Sequence, residues 1–322
     1  MIETLGTTIE ARKPKLGEKI MSLDEAVKKF VSDGDVVTPC GVGGRVPFAQ
    51  CYEIVRQHKK DLTLSTTGAL DNLDMLVGAG CVSRLECGFT GMEMFGLPLM
   101  FRRAVEKKKL IVEDYTNLCM VLRFVAGAIG LPFVPVTSVS GSDIERLSTW
   151  RKEKKLAKVT SPFTGETTIV LPPSIPDVAL FHAQQADHLG NTQVWGMLGS
   201  DDWAARASKR IIVTVERVVD NETIRRNPNM TVLPDFIVDA VVEVPWGGHP
   251  WAVQGFYDID MEFRREYAQS IRNDETFNKW LNEWVYQVAD HKAYVNKLGK
   301  ERLDKLSAQK RPYMSLPVNY GY

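Results

Sequence analysis

Short runs of β-forming residues alternate with helical spacings along most of this chain, and that alternation constrains its fold more than any single motif. The strand-like runs cover residues 36–40, 62–66, 84–89, 110–115, 133–137, 178–182, 211–215 and 236–244. Helical patterns separate most of them: one from about Pro47, burying Phe48, Cys51, Tyr52 and Val55, then 73–77, 97–108, 118–128 and 204–209. Strands alternating with helices predict an α/β fold with an open, largely parallel sheet covered on both faces. In such sheets ligands bind at loops beyond the carboxyl ends of the strands.

The flanks follow the same logic. Ser22 and Glu25 form a capping box for a helix carrying Leu23, Ala26, Val27, Phe30 and Val31, which Asp33-Gly34 ends. Residues 148–176 are polar and proline-bearing, which predicts an insertion or a hairpin. After Tyr257 the chain turns helical and charged, and Trp280, Trp284 and Val288 recur at i+4, marking a helix packed on the body or on a partner. The expected division is an arm over residues 1–20, an α/β domain over 21–260 and a helical C-terminal extension over 261–322, packed on the same domain.

Composition narrows the function classes. With 322 residues, 44% of them hydrophobic, the chain can bury a large core. Forty basic residues balance forty acidic ones, so no global charge draws it to nucleic acid or to an anionic membrane. The local run Lys107-Lys108-Lys109 reads as a solvated helix end. No apolar run approaches the ~20 residues that cross a bilayer, and the N-terminus lacks the apolar core of a signal peptide. Five cysteines, an odd number without metal-type spacing, indicate a reduced, cytoplasmic protein.

Among the loops, VVTPCGVGGRVPF at residues 36–48 is the most telling. A β-rich run enters Gly41, Gly43 and Gly44, then Arg45, then a proline that opens a helix. Glycine lets backbone N–H groups approach a ligand or take positive φ, and a helix start adds unpaired donors. That geometry suits a phosphate or a developing thioester oxyanion; a plain turn is the competing reading. The next strand ends in Thr67-Gly68, and the one after in TGMEMFG, which carries Glu93. A buried Glu93 would have the raised pKa of a general acid or base, whereas the plainer reading is a solvent-facing carboxylate. FHAQQAD at residues 181–187 offers Gln184 and Gln185, which either orient a substrate carbonyl or satisfy backbone groups. His182 and His188 lack partners at metal-ligand spacing, so no metal site is expected. His249, in PWGGHP, is a base, a fixed donor or a structural histidine, and Glu216 stands at a strand's carboxyl edge. There is no P-loop, no nucleophile elbow and no complete dinucleotide fingerprint.

In order along the chain, MSLDEAV, the VGG turn at Val42, DLTLSTTGALDNLDMLVGAG, GLPFVPV, SPFTGE, FHAQQAD, VWG, IVTVERVVDNETIRR, VDAVVEVPWGGHP and GFYDIDMEF are present. Together they resemble the A subunit of class I CoA-transferases, most of all the glutaconate CoA-transferase branch. The resemblance implies a CoA-transferase-like (NagB/RpiA-type) fold and a heteromer, dimer or tetramer, with a B subunit. It implies an active site shared between the two chains, in which a glutamate of the B chain attacks the acyl-CoA thioester and carries CoA to a second carboxylic acid. Coenzyme A would then be a substrate, with no cofactor bound permanently. On this chain, Gly43 and Gly44 would stabilise the oxyanion. Thr67, Gly68 and the Glu93 loop would wall the substrate, with Gln184 and His249 in support. Two departures stand out. Arg45 occupies a position that is commonly aromatic, where it can pair with a substrate carboxylate, a CoA phosphate or a neighbouring subunit. Glu93 falls where related chains place a small polar residue. That keeps open an acyl-CoA hydrolase or decarboxylase using Glu93 as acid/base, and beyond it a non-catalytic scaffold subunit.

Overall fold

The computed structural model describes residues 15–41, 43–148 and 155–308. Val42, most of the expected N-terminal arm and the last part of the C-terminal extension lie outside the described residues. The strands are β1 (Val36–Pro39), β2 (Leu62–Thr66), β3 (Val82–Cys87), β4 (Ile111–Asp114), β5 (Val134–Val136), β6 (Ala157–Thr160), β7 (Thr167–Leu171), β8 (Val178–Asp187), β9 (Thr192–Gln193), β10 (Arg210–Val219), β11 (Thr231–Leu233) and β12 (Ala240–Glu243).

Seven of these form a parallel series in the order β12-β10-β8-β1-β2-β3-β4. Chain order runs away from β1 in one direction and away from β8 in the other. The β1–β8 junction is therefore a topological switch point, where loops diverge and leave a crevice at the carboxyl edge. Because β10 pairs with β8 from Val178 to Asp187, β1 and the short antiparallel β9 share the other edge of β8. β1 takes Val178–Leu180 and β9 takes Gln185 and Ala186, so the loop after β1 enters the gap between them.

Alternation along the strands fills a core on each face. Val37, Leu180, Ile212 and Val242 face the helices Leu23–Phe30, Phe48–Arg56 and Asp71–Gly78. Ala179, Phe181, Ile211 and Val213 face the helices Asn117–Ile129 and Asp201–Ala207 and the small antiparallel sheet β5-β7-β6. The β6–β7 hairpin accounts for the polar 148–176 stretch, of which 149–154 lie outside the described residues. Two elements depart from expectation. β8 and β10 each run ten residues, because β8 buries polar FHAQQAD side chains that hydropathy alone does not assign to a strand. The expected strand at 236–244 shortens to β12, preceded by a 3₁₀ turn at Asp235–Ile237.

The C-terminal helices join the first core. Phe263 meets Trp280 and Trp284 edge-on at 5.9 and 4.8 Å, so the tryptophan stripe packs on this chain's own body. Arg264, 1% exposed at its side chain, is the polar bolt of that contact. Its Nε donates to Asp71 Oδ2 at 2.7 Å, its Nη1 to Glu93 Oε2 at 3.1 Å, and its guanidinium lies over Trp251 at 4.1 Å. Burial pushes the Asp71 carboxyl above its ordinary range despite that guanidinium. Removing one partner of such a pair leaves an uncompensated buried charge. Arg264→Leu is therefore expected to cost about 3–5 kcal/mol in denaturant titration, and adding Asp71→Leu to recover much of the loss. A single variant as stable as wild type would show that the pair does not clamp the extension.

Candidate functional site

The glycine turn leaves β1 at the switch point and is held at both ends by one carboxylate. Asp201, at the start of the helix Asp201–Ala207, accepts from the Gly41 N–H at Oδ1 (2.8 Å) and from Arg45 Nη2 at Oδ2 (3.3 Å). Arg45 also donates to the carbonyls of His182 and Met197, and its N–H donates to the Ala252 carbonyl at 2.8 Å. Its side chain is 1% exposed. The guanidinium therefore fills the gap on the β8 edge, in place of the outward role expected from sequence. The physical reason is the left-handed backbone at Arg45 (φ 53°), which turns the side chain back under the loop. Gly41 (φ 108°) needs its missing Cβ, since one built there would lie 2.5 Å from the Arg45 carbonyl oxygen.

Between those fixed ends sit Gly43, half-buried, and Gly44, buried. Among the described residues neither amide donates a hydrogen bond. Burial pushes the Asp201 carboxyl up to about 6, against the pull of Arg45 and the Gly41 amide. The Cys40 thiol, buried beside Asp201, is pushed well above its ordinary value. It is no nucleophile.

The segment from Gly196 to Asp201 ties this turn to the next one. Thr67, just after β2, shares a 3.2 Å hydrogen bond with Ser200, and Thr66 Oγ1 donates to the Gly68 carbonyl at 2.8 Å. Ala69 then bridges to the loop after β3, donating to the Phe89 carbonyl at 2.9 Å and accepting from Gly91 at 3.1 Å. That loop presents Glu93. Its side chain is 51% exposed and its backbone is left-handed (φ 52°). Its charge partner is Arg264. Left-handed non-glycine residues cost of order 1–3 kcal/mol and cluster where structure over-determines them, at sites above all. Arg45 and Glu93 both qualify.

The structure accordingly gathers Gly43, Gly44, Arg45, Thr67, Gly68 and Glu93 along one carboxyl edge. Gln184 lies beside them but spends its amide on backbone, donating to the Trp195 carbonyl at 2.8 Å and the Gln254 carbonyl at 3.3 Å. His249 does not join them. Its ring bonds Tyr294 at 2.6 Å and Asp260 at 3.0 Å among the C-terminal helices, and burial lowers its pKa. Glu216 is buried too, accepting from Tyr257 (2.6 Å) and the Trp246 N–H (2.8 Å) and paired with His182 (2.8 Å). Sequence reading missed Asp201, Ser200, Met197 and Gln254, which come from segments without periodicity. Their one signal is the company of Gly196, Gly199 and Gly255. No group of metal-type ligands occurs among the described residues. Nor is any of their helices long and apolar enough to cross a membrane.

Comparison with known proteins agrees with this architecture. The family model for coenzyme A transferase matches residues 20–244. An uncharacterized Archaeoglobus fulgidus protein is 38% identical over 297 residues, 91% of this chain, which spans 65% of that protein's length. The A subunit of glutaconate CoA-transferase from Acidaminococcus fermentans is 36% identical over 303 residues, 89% of this chain and 94% of that one. The crystal structure of that transferase superposes with a TM-score of 0.84 over 90% of this chain and 95% of that chain, at 35% identity. The A subunit of 3-oxoadipate CoA-transferase from Pseudomonas knackmussii is 36% identical over 285 residues, 88% of this chain and 99% of that one. A chain with this fold, this carboxyl-edge turn and matches of that extent belongs to the coenzyme A transferase family.

Proposed function

We propose that this chain is the A-type subunit of a heteromeric CoA-transferase and presents an acyl-CoA thioester to a glutamate of a B subunit. The observation that carries the reading is the pair of undonated amides at Gly43 and Gly44, clamped at both ends by Asp201 and lying at the switch point. Preorganised N–H groups in a water-poor site stabilise charge as it develops and cost no reorganisation when it does. The partner's carboxylate oxygen adds to the thioester carbonyl carbon, and the electron pair of the C=O bond moves onto oxygen at this turn. The carbonyl re-forms as the C–S bond breaks, CoA leaves as thiolate, and an acyl–glutamyl anhydride remains. The thiolate then adds to the glutamyl carbonyl and expels the first acid as carboxylate, leaving a glutamyl-CoA thioester. A second acid reverses these steps. Coenzyme A enters and leaves as substrate, and five buried free thiols suit a reducing cytoplasm.

Three outcomes test this reading. Incubation of the heteromer with acyl-CoAs, acid quench and intact mass measurement are expected to find a CoA adduct on the partner chain. Consumption without an adduct on either chain would instead favour hydrolysis or decarboxylation. Glu93, half-exposed and ion-paired, supports a wall rather than an acid/base, so Glu93→Gln is expected to leave transfer within about threefold. A drop of ~10²–10⁴-fold would assign it proton transfer.

The third outcome is a pH profile. The folded-state value of Asp201, about 6, lies above the ordinary 3.8, so its proton is held more tightly in the folded protein. The stability this group contributes is full below the ordinary value and is lost as pH rises through the folded one. Acidification therefore does not unfold the protein through Asp201. It removes the charge that holds Arg45. Turnover is expected to fall on the acid side with a midpoint near pH 6, without a matching fall in melting temperature. Asp201→Asn should give lower turnover lacking that limb, and an unchanged limb in this variant would contradict the assignment.

A further inference from the structure

The segment after PWGGHP touches the glycine turn at two points. Ala252 accepts from the Arg45 N–H, and two residues later the Gln254 carboxamide lies against the turn itself. A Cβ built on Gly44 would stand 3.3 Å from both Gln254 Nε2 and Oε1. One built on Gly196 would stand 2.8 Å from Cδ of the same side chain. The carboxamide is thus wedged between two glycines, one of them in the oxyanion turn. Its Oε1 is buried with no hydrogen-bond partner, and no donor bond from its Nε2 is formed among the described residues. A buried amide oxygen left unsatisfied costs about 1–3 kcal/mol. The backbone bearing it is fixed, because Gln184 ties the Gln254 carbonyl to Trp195. Beside Gly44, the Nε2 of this well-anchored amide is left free to donate to an oxygen-bearing ligand.

We infer that Gln254 contacts the reacting acyl group directly, donating from its side-chain amide to the thioester carbonyl oxygen beside Gly44. Gln184 is its positioning residue. This inference rests on the acyl-binding reading of the glycine turn and adds a side-chain donor to it. The donor acts chiefly once charge has developed on oxygen, so its loss lowers kcat more than it raises KM.

The test uses the intact heteromer, with glutaconyl-CoA and 3-oxoadipyl-CoA as probes. Gln254→Met keeps the length and bulk of the side chain and removes both polar atoms. It is expected to lower kcat by ~10²–10³-fold, as loss of one oxyanion donor does elsewhere, with KM within about threefold and an unchanged melting temperature. Gln254→Glu keeps the shape but brings a charge that repels the oxyanion, so it should fall at least as far. A packing role alone would leave Gln254→Met active. A variant turning over within about threefold of wild type therefore overturns the inference. Where neither probe is turned over, a structure of the heteromer with the same acyl-CoAs bound decides, and a thioester oxygen beyond hydrogen-bond reach of the Gln254 side chain overturns it likewise. Failure of the transfer reading is separate: it would appear as no CoA adduct on the partner chain of the wild-type complex.

Discussion

One carboxylate holds the site together. Asp201 takes the N–H of the residue that opens the glycine turn and the guanidinium of the residue that closes it, and both pairs are buried. A buried ion pair adds little net stability, because desolvation of both charges offsets most of their attraction. What it supplies here is position. Arg45 occupies a left-handed backbone and the edge of β8 that β1 has left, and neither arrangement stands without an acceptor on the far side. Between those fixed ends, the Gly43 and Gly44 amides donate no hydrogen bond among the described residues.

A second polar layer supports the first from beneath. His182 lies between Thr214 (2.9 Å) and Glu216 (2.8 Å), and Glu216 receives the Trp246 N–H and the Tyr257 hydroxyl. Trp246 stacks on Tyr257 at 4.2 Å, and a Cβ on Gly247 would stand 2.7 Å from His182 Cε1. The residues that resemble a catalytic His–Glu pair thus fasten the segment that carries Ala252 and Gln254 to the turn. Buried networks of this kind, fully satisfied, rigidify a core. The distinction from chemistry is access: His182 is 1% exposed and faces the protein on every side.

Much of the fold was legible because strands of a buried parallel sheet read as short apolar runs between helical periods. The β2 run at 62–66 matched to the residue, and the switch-point glycine run was visible by composition alone. Where the reading fell short, long-range geometry decided. The inward turn of Arg45 depends on Asp201, 156 residues away, and no local pattern encodes that pairing. His249 was expected to support the substrate from its glycine–proline turn, yet Asp260 and Tyr294 claim both ring nitrogens. Gln254 was overlooked for the opposite reason. A single glutamine in an apolar stretch carries no signal until Gly44 and Gly196 are seen on either side of it.

The central claim is that the acyl oxygen sits on the Gly43–Gly44 turn, and a structure of the heteromer with an acyl-CoA bound and slowed at low temperature tests it most directly. The account expects the thioester oxygen, or the oxyanion that replaces it, about 2.7–3.1 Å from the Gly43 and Gly44 nitrogens, the distance that oxyanion donors adopt. An acyl group bound elsewhere on this chain, with both amides facing solvent, would contradict it.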